Sequence, residues 1–170
     1  MRIQYCGGSI FTSTAHTLVV PVNCKGVAGR GLALQFRERY PNWYRAYRQC
    51  CTNGLLQIGR PLLHWGDDPW IVSFPTKDDW RLPSELAFIE AGLAATVLLC
   101  ARHGVESIAF PKLGTGAGGL SWEEVRPLME ACLSALGSDV CIYLRGGEEV
   151  MRCWRVRQLA ISSRFRWGSI

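Results

Sequence analysis

The sequence predicts an α/β fold of three layers, with helices on both faces of a central mixed sheet of about six strands. Three observations carry this expectation. Short runs rich in β-branched and other apolar residues alternate with amphipathic stretches of helical period. Residues suited to turns stand between them, including Pro41, the pair Asn53-Gly54 and the tetrad Gly66-Asp67-Asp68-Pro69. Twice, an apolar run opens into a glycine-spaced loop and then into a helical pattern. The first loop holds Gly26, Gly29 and Gly31; the second holds Gly114, Gly116, Gly118 and Gly119.

In chain order, residues 3–6 make a first strand and the run Leu-Val-Val-Pro-Val at 18–22 a second. A helix at 31–40 shows apolar spacing at Leu32, Leu34 and Phe36, and Pro41 separates it from a helix at 42–51. Strands at 62–65 and 70–74 flank the 66–69 turn as a hairpin. A long helix at 84–103 ends on Gly104, placed as a residue just past a helix C-terminus. A strand at 107–110, a helix at 121–136 and a strand at 140–144 follow. Ser121 opens that last helix in a capping box, with Glu124 able to reach back to the Ser121 N–H. Arg145-Gly146-Gly147 is a break, so residues 1–146 make one domain. Residues 147–170 make a basic C-terminal extension, a last helix packed on the domain with a loose tail.

At 170 residues, 48% apolar and 19% charged, the chain is one globular domain. The longest apolar candidate, AGLAATVLLC, stops at Ala101-Arg102, short of a membrane span, so no membrane partner is expected. The N-terminus MRIQYCGGSI lacks the regions of a signal peptide. Eight cysteines include no CxxC, and the three histidines are scattered, so a metal site has no support. Reduced thiols and a cytoplasmic setting are the expectation. Charge is uneven. From Lys25 to Arg60 seven basic residues face Glu38 alone, and from Arg145 onward six arginines face Glu148 and Glu149. With Trp43, Tyr44, Tyr47, Trp154 and Trp167 interleaved, these clusters suit a polyanion, although a solvated face reads the same way.

In such folds ligands bind beyond the C-terminal ends of strands, and three strand exits here carry unusual residues. The first, Asn23 to Gly31, combines an amide suited to a ribose hydroxyl pair with glycines that let the backbone approach a ligand. Its GxxGxG spacing matches neither dinucleotide domains nor P-loops. The second, Phe74 to Arg81, places Lys77 just past a buried strand, either as an active-site amine or as a surface lysine paired with Asp78 or Asp79. The third, Pro111 to Leu120, offers a GxGxGG nest of N–H groups to a second phosphate. Two glycine loops on one sheet together argue for a diphosphate ligand.

These residues together resemble a macrodomain, the ADP-ribose-binding α/β/α fold, over roughly residues 1–145. Within that family VNCKGVAGRGLALQF, FPTKDDWR, IEAGL and PKLGTGAGGLSWEEV are similar to the DarG-type macrodomains, bacterial antitoxins that remove ADP-ribose from DNA bases. The resemblance implies that Lys77 is the catalytic lysine and Asn23 the ribose ligand. Gly26, Gly29, Gly31, Gly114, Thr115, Gly116 and Ala117 would contact phosphates. Ser9, Ile10, Val27, Arg30, Thr76 and Gly118 complete the implied ADP-ribose set. Two departures stand out. Related terminal ADP-ribose protein glycohydrolases carry an aspartate where this chain has Gly118, and the family's acidic adenine ligand is replaced by Ser9, an uncharged partner.

The implied chemistry is cleavage of the N-glycosidic bond between ribose C1″ and a base nitrogen. Lys77 would act as acid or nucleophile, and Asp78 and Asp79 would orient it or a water. ADP-ribose enters as ligand or product, with no cofactor. Trp43, Trp80 and Arg81 are candidate contacts to single-stranded DNA, with a tryptophan stacking a displaced base. The implied partners are ADP-ribosylated single-stranded DNA and a cognate ADP-ribosyltransferase toxin, and the expected state is monomeric. Such antitoxins also carry a toxin-binding domain for which this chain has no room, so an excised domain or a free-standing relative is expected. Two other classes stay open: an ADP-ribose-binding module without catalysis, and a hydrolase of ADP-ribosylated protein. A cysteine enzyme built on Cys24 is disfavoured, because His16 has no evident orienting acid.

Overall fold

A computed structural model describes residues 3–144. It contains the strands β1 (Ile3–Gly7), β2 (Thr17–Asn23), β3 (Leu62–His64), β4 (Trp70–Lys77), β5 (Ser107–Pro111) and β6 (Asp139–Leu144). The helices are α1 (Gly31–Arg39), α2 (Pro41–Thr52), α3 (Leu86–His103) and α4 (Trp122–Leu133). The strands form one six-stranded sheet in the order β1-β6-β5-β2-β4-β3. Every neighbouring pair is parallel except the β3–β4 hairpin at one edge.

Alternation along the strands builds the three layers. Val19, Val72, Phe74, Ile108 and Phe110 pack with Ile89 and Leu93 of α3 and with Met129 and Leu133 of α4. Leu18, Val20, Val22, Ile71 and Ala109 pack on the other side with Phe36 of α1 and with Trp43 and Tyr47 of α2. The α/β/α sandwich with a mixed sheet is therefore the observed architecture. By length and hydropathy α3 passes as a membrane-spanning helix, which the sequence reading did not expect. It is a core helix: Ile89, Gly92, Leu93, Thr96 and Cys100 are buried. A Cβ on Gly92 would stand 2.4 Å from Phe74 Cζ, so helix and sheet meet there without room for a methyl.

Several expected boundaries move. β4 runs on to Lys77, so Pro75, Thr76 and Lys77 belong to a strand and not to a loop. Pro41 opens α2 at its first helical position, where the missing N–H costs nothing. A one-turn 3₁₀ segment, Ile10–Thr12, was not anticipated. Gly104 does cap α3, with φ of 64°. Ser121 Oγ accepts from the Glu124 N–H at 3.4 Å, but its hydroxyl is met by the Glu123 carboxylate at 3.2 Å. The expectation of reduced thiols is corrected at one pair: Cys6 and Cys141 form a disulfide. Parallel pairing of β1 with β6 sets Cys6 opposite Tyr143 and Cys141 opposite Gln4, which brings the two side by side. The basic extension at 147–170, with its expected helix, lies outside the described residues.

Candidate active site

All five parallel strands end on one side of the sheet, and a cleft of about 1120 Å³ opens there. Its centre is set by strand register. Past an irregularity at Val22/Asn23, Asn23 of β2 pairs directly with Lys77 of β4. The Cys24 N–H then donates to the carbonyls of Lys77 (3.2 Å) and Asp78 (3.0 Å), and Lys25 pairs with Asp78 at 3.1 Å. The first two strand exits are thus clipped together.

In the first exit the Asn23 amide is committed to its own loop. Nδ2 donates to the Val27 carbonyl at 2.7 Å, and Oδ1 accepts from the N–H groups of Lys25 (3.0 Å) and Val27 (3.2 Å). The buried Tyr47 hydroxyl donates to the Asn23 carbonyl at 2.7 Å. Asn23 borders the cleft as the residue that shapes the loop. Gly26 does not line the cleft, which corrects its expected phosphate contact. With φ of 77° it turns toward α2, where a Cβ would meet Arg48 and Cys51. Val27, Gly29, Arg30 and Gly31 do face the cleft, together with Leu32 and Ala33. Arg30 caps α1 without a side-chain hydrogen bond. The first-turn N–H groups of Gly31, Leu32 and Ala33 are therefore orphan donors at the positive end of a helix dipole.

The second exit resolves the alternatives for Lys77. Asp78 is taken by Lys25, and Asp79 binds Arg81 through Oδ2 at 2.7 Å and Oδ1 at 2.9 Å. Neither carboxylate orients Lys77, contrary to expectation. Lys77 is 8% exposed, and its Nζ donates to the Ala117 carbonyl of the second glycine loop. Burial, and then the nearby Arg30 cation, push its pKa below the usual lysine value. Thr76 is buried on the same wall, its hydroxyl 3.5 Å from the Val22 carbonyl. Trp80 is half exposed at the rim, with the Arg81 guanidinium 5.6 Å from its ring centroid.

The second glycine loop folds back on itself. Leu120 N–H donates to Gly114 O at 3.0 Å, and Gly119 N–H to Gly116 O at 3.2 Å. Ser84 N–H holds the Gly118 carbonyl at 2.9 Å. Among the described residues no acceptor takes the N–H groups of Thr115, Gly116, Ala117 or Gly118, all of which line the cleft. A Cβ on Gly118 would lie 2.1 Å from the Gly114 carbonyl oxygen and 2.4 Å from Ser84 Oγ. No aspartate fits in this loop as folded. Gly29 and Gly116 differ: neither has positive φ, and a Cβ on either meets nothing within 4 Å. The fold does not require glycine at these two positions, and the missing side chains leave the backbone there open to the cleft.

At the far end Ser9 and Ile10 line the cleft beside Gly8. Ser9 caps the 3₁₀ turn, accepting from Phe11 N–H at 3.3 Å, and brings no charge. Trp43 is corrected as a nucleic-acid contact. It is 4% exposed, stacks on Tyr47 with centroids 5.4 Å apart, and donates to Ser73 Oγ at 3.0 Å. The Cys24 thiol is buried, and burial chiefly pushes its pKa up to about 11, which disarms it as a nucleophile. The sequence reading missed Lys112 and Tyr143 on the cleft wall, at the ends of β5 and β6. The rule that ligands sit beyond parallel strand ends extends to them once strand order is known.

A three-layer α/β/α domain whose parallel strands end at one cleft, two of them in N–H-lined glycine loops, fits the macrodomain class. The chain belongs to the Macro domain family, whose model matches residues 19–129. It is similar to a DNA ADP-ribosyl glycohydrolase of Mycobacterium tuberculosis, 40% identical over 150 residues, 85% of this chain and 43% of that protein. The chain thus spans less than half the length of that curated relative. The macrodomain of Mycobacterium tuberculosis DarG superposes with a TM-score of 0.80 at 38% identity, covering 84% of this chain and 97% of the other. Thermosipho africanus DarTG, solved in complex with ADP-ribose, gives a TM-score of 0.77 at 35% identity over 85% of this chain and 42% of its own.

Proposed function

We propose that this chain binds ADP-ribose in the cleft and hydrolyses the N-glycosidic link between ADP-ribose and a DNA base. Lys77 carries the reading: a buried amine of lowered pKa stands between two anion-binding loops, in a chain 38% identical to a DarG macrodomain. The diphosphate lies across the N–H groups of the α1 turn and of residues 115–118. The adenosine extends toward Gly8-Ser9-Ile10, and the distal ribose meets Lys77.

In the hydrolysis, the bond from C1″ to the base nitrogen breaks with its electron pair passing to that nitrogen. Lys77, as its ammonium, donates a proton there. Water bonds to C1″ and passes a proton to the now neutral Lys77 amine, which restores the ammonium and completes ADP-ribose. The positive charge that develops on the ribose is offset by the adjacent diphosphate. Among the described residues that line the cleft there is no carboxylate: position 118 has no room for one, and Asp78 and Asp79 are occupied by Lys25 and Arg81. The partner that supplies the substrate is an ADP-ribosyltransferase acting on DNA. Incubation with ADP-ribosylated single-stranded DNA, and separately with ADP-ribosylated protein, tests the substrate class. ADP-ribose should be released from the DNA. Release from protein alone, or from neither alongside tight ADP-ribose binding, contradicts the proposal.

A further inference from the structure

Resting on the glycohydrolase reading, a second groove beside the cleft gains a role. It has a volume of about 530 Å³ and shares Arg30, Lys77, Trp80, Ala117 and Gly118 with the cleft. It includes none of the β2, Gly8–Ile10 or α1-turn residues and reaches Leu82 and Pro83 instead, so it extends from Lys77 away from the adenosine end of the cleft. A bond broken at Lys77 joins two groups. With ADP-ribose on one side of that amine, the departing group must leave on the other, where this groove lies.

Its wall is built for a flat ring. Trp80 is 47% exposed, a large aromatic surface left facing solvent. The Arg81 guanidinium lies 5.6 Å from its ring centroid and makes two hydrogen bonds to Asp79, from Nε (2.9 Å) and Nη2 (2.7 Å), with a third from the Arg81 backbone N–H (2.9 Å). Asp79 thereby fixes the Arg81 guanidinium beside the Trp80 indole, which keeps an exposed surface. Because Arg81 is paired with Asp79, the other cations among the described groove residues are Arg30 and Lys77. An exposed aromatic beside positive charge is the arrangement that takes an unstacked base of a single strand.

We propose that this groove is the leaving-nucleoside subsite: the ADP-ribosylated base stacks on Trp80, with the adjoining backbone phosphate toward Arg30. In a Lys77→Ala background, which removes turnover, Kd is measured for an ADP-ribosylated single-stranded oligonucleotide and for ADP-ribose. Trp80→Ala should weaken the oligonucleotide about tenfold more than ADP-ribose, the worth of one base–aromatic stack. Trp80→Phe should recover most of that loss, and with Lys77 restored the defect should fall on KM and not on kcat. Equal weakening of both ligands, or of neither, overturns the subsite, as does a loss confined to ADP-ribosylated protein. A protein with intact Lys77 that binds the oligonucleotide but releases no ADP-ribose contradicts the glycohydrolase reading instead, and the binding ratio still decides the groove.

Discussion

Lys77 differs from an ordinary surface lysine in three ways: it is buried, it donates to a loop carbonyl, and it lies near a second cation. Burial and the Arg30 charge both disfavour the ammonium, so both ease loss of its proton. If Lys77 acts as an acid, activity requires the ammonium and falls as pH rises through its pKa. Arg30→Gln removes the like charge, raises that pKa and moves the alkaline limb of the single-turnover rate to higher pH. A limb that stays put contradicts the coupling, and a rate that climbs with pH assigns Lys77 as a nucleophile instead. Gly116 gives a second prediction at this scale. Because its φ is ordinary and a Cβ there meets nothing, Gly116→Ala should hold or raise stability by about 0.4–1 kcal/mol, read from denaturant unfolding. ADP-ribose affinity, measured by calorimetry, should fall by about tenfold or more, because the added methyl stands where the ligand approaches. Unchanged affinity would remove Gly116 from the binding surface.

Among the elements, α3 has the least tolerance. Gly92 lets it settle on Phe74 at a distance no side chain permits. Gly92→Ala should destabilise the domain by about 1–3 kcal/mol through overpacking, seen as a lower urea midpoint at constant m-value. No change in midpoint would mean that the aromatic ring moves aside freely. Much of the element plan was legible in the sequence, because β-branched runs, Pro41, Gly104 and Ser121 mark their boundaries with local chemistry. The end of β4 was not, since Pro75 reads as a breaker although the strand continues through Thr76 to Lys77. Trp43 was also misjudged. Arginines interleaved with aromatics look like a polyanion surface, yet helical period turns Trp43 and Tyr47 inward.

At the scale of the molecule, the site is a product of strand order. Five parallel ends meet at the cleft, and pairing of Asn23 with Lys77 joins two loops 54 residues apart in the chain. The residue types of both glycine loops and of the lysine were legible, because each chemistry has a local signature. Their mutual geometry was not, because a parallel register has no mark in the sequence, and the Cys6–Cys141 disulfide escaped notice for the same reason. The central claim is that the glycine loops bind and Lys77 acts. It is tested most directly by single-turnover release of ADP-ribose from ADP-ribosylated single-stranded DNA, comparing wild type with Lys77→Ala, with ADP-ribose Kd measured on the same preparations. The account predicts a rate loss of about a hundredfold or more with Kd within about threefold. A rate that survives the substitution, or a Kd that rises in step with the loss of rate, would contradict the account.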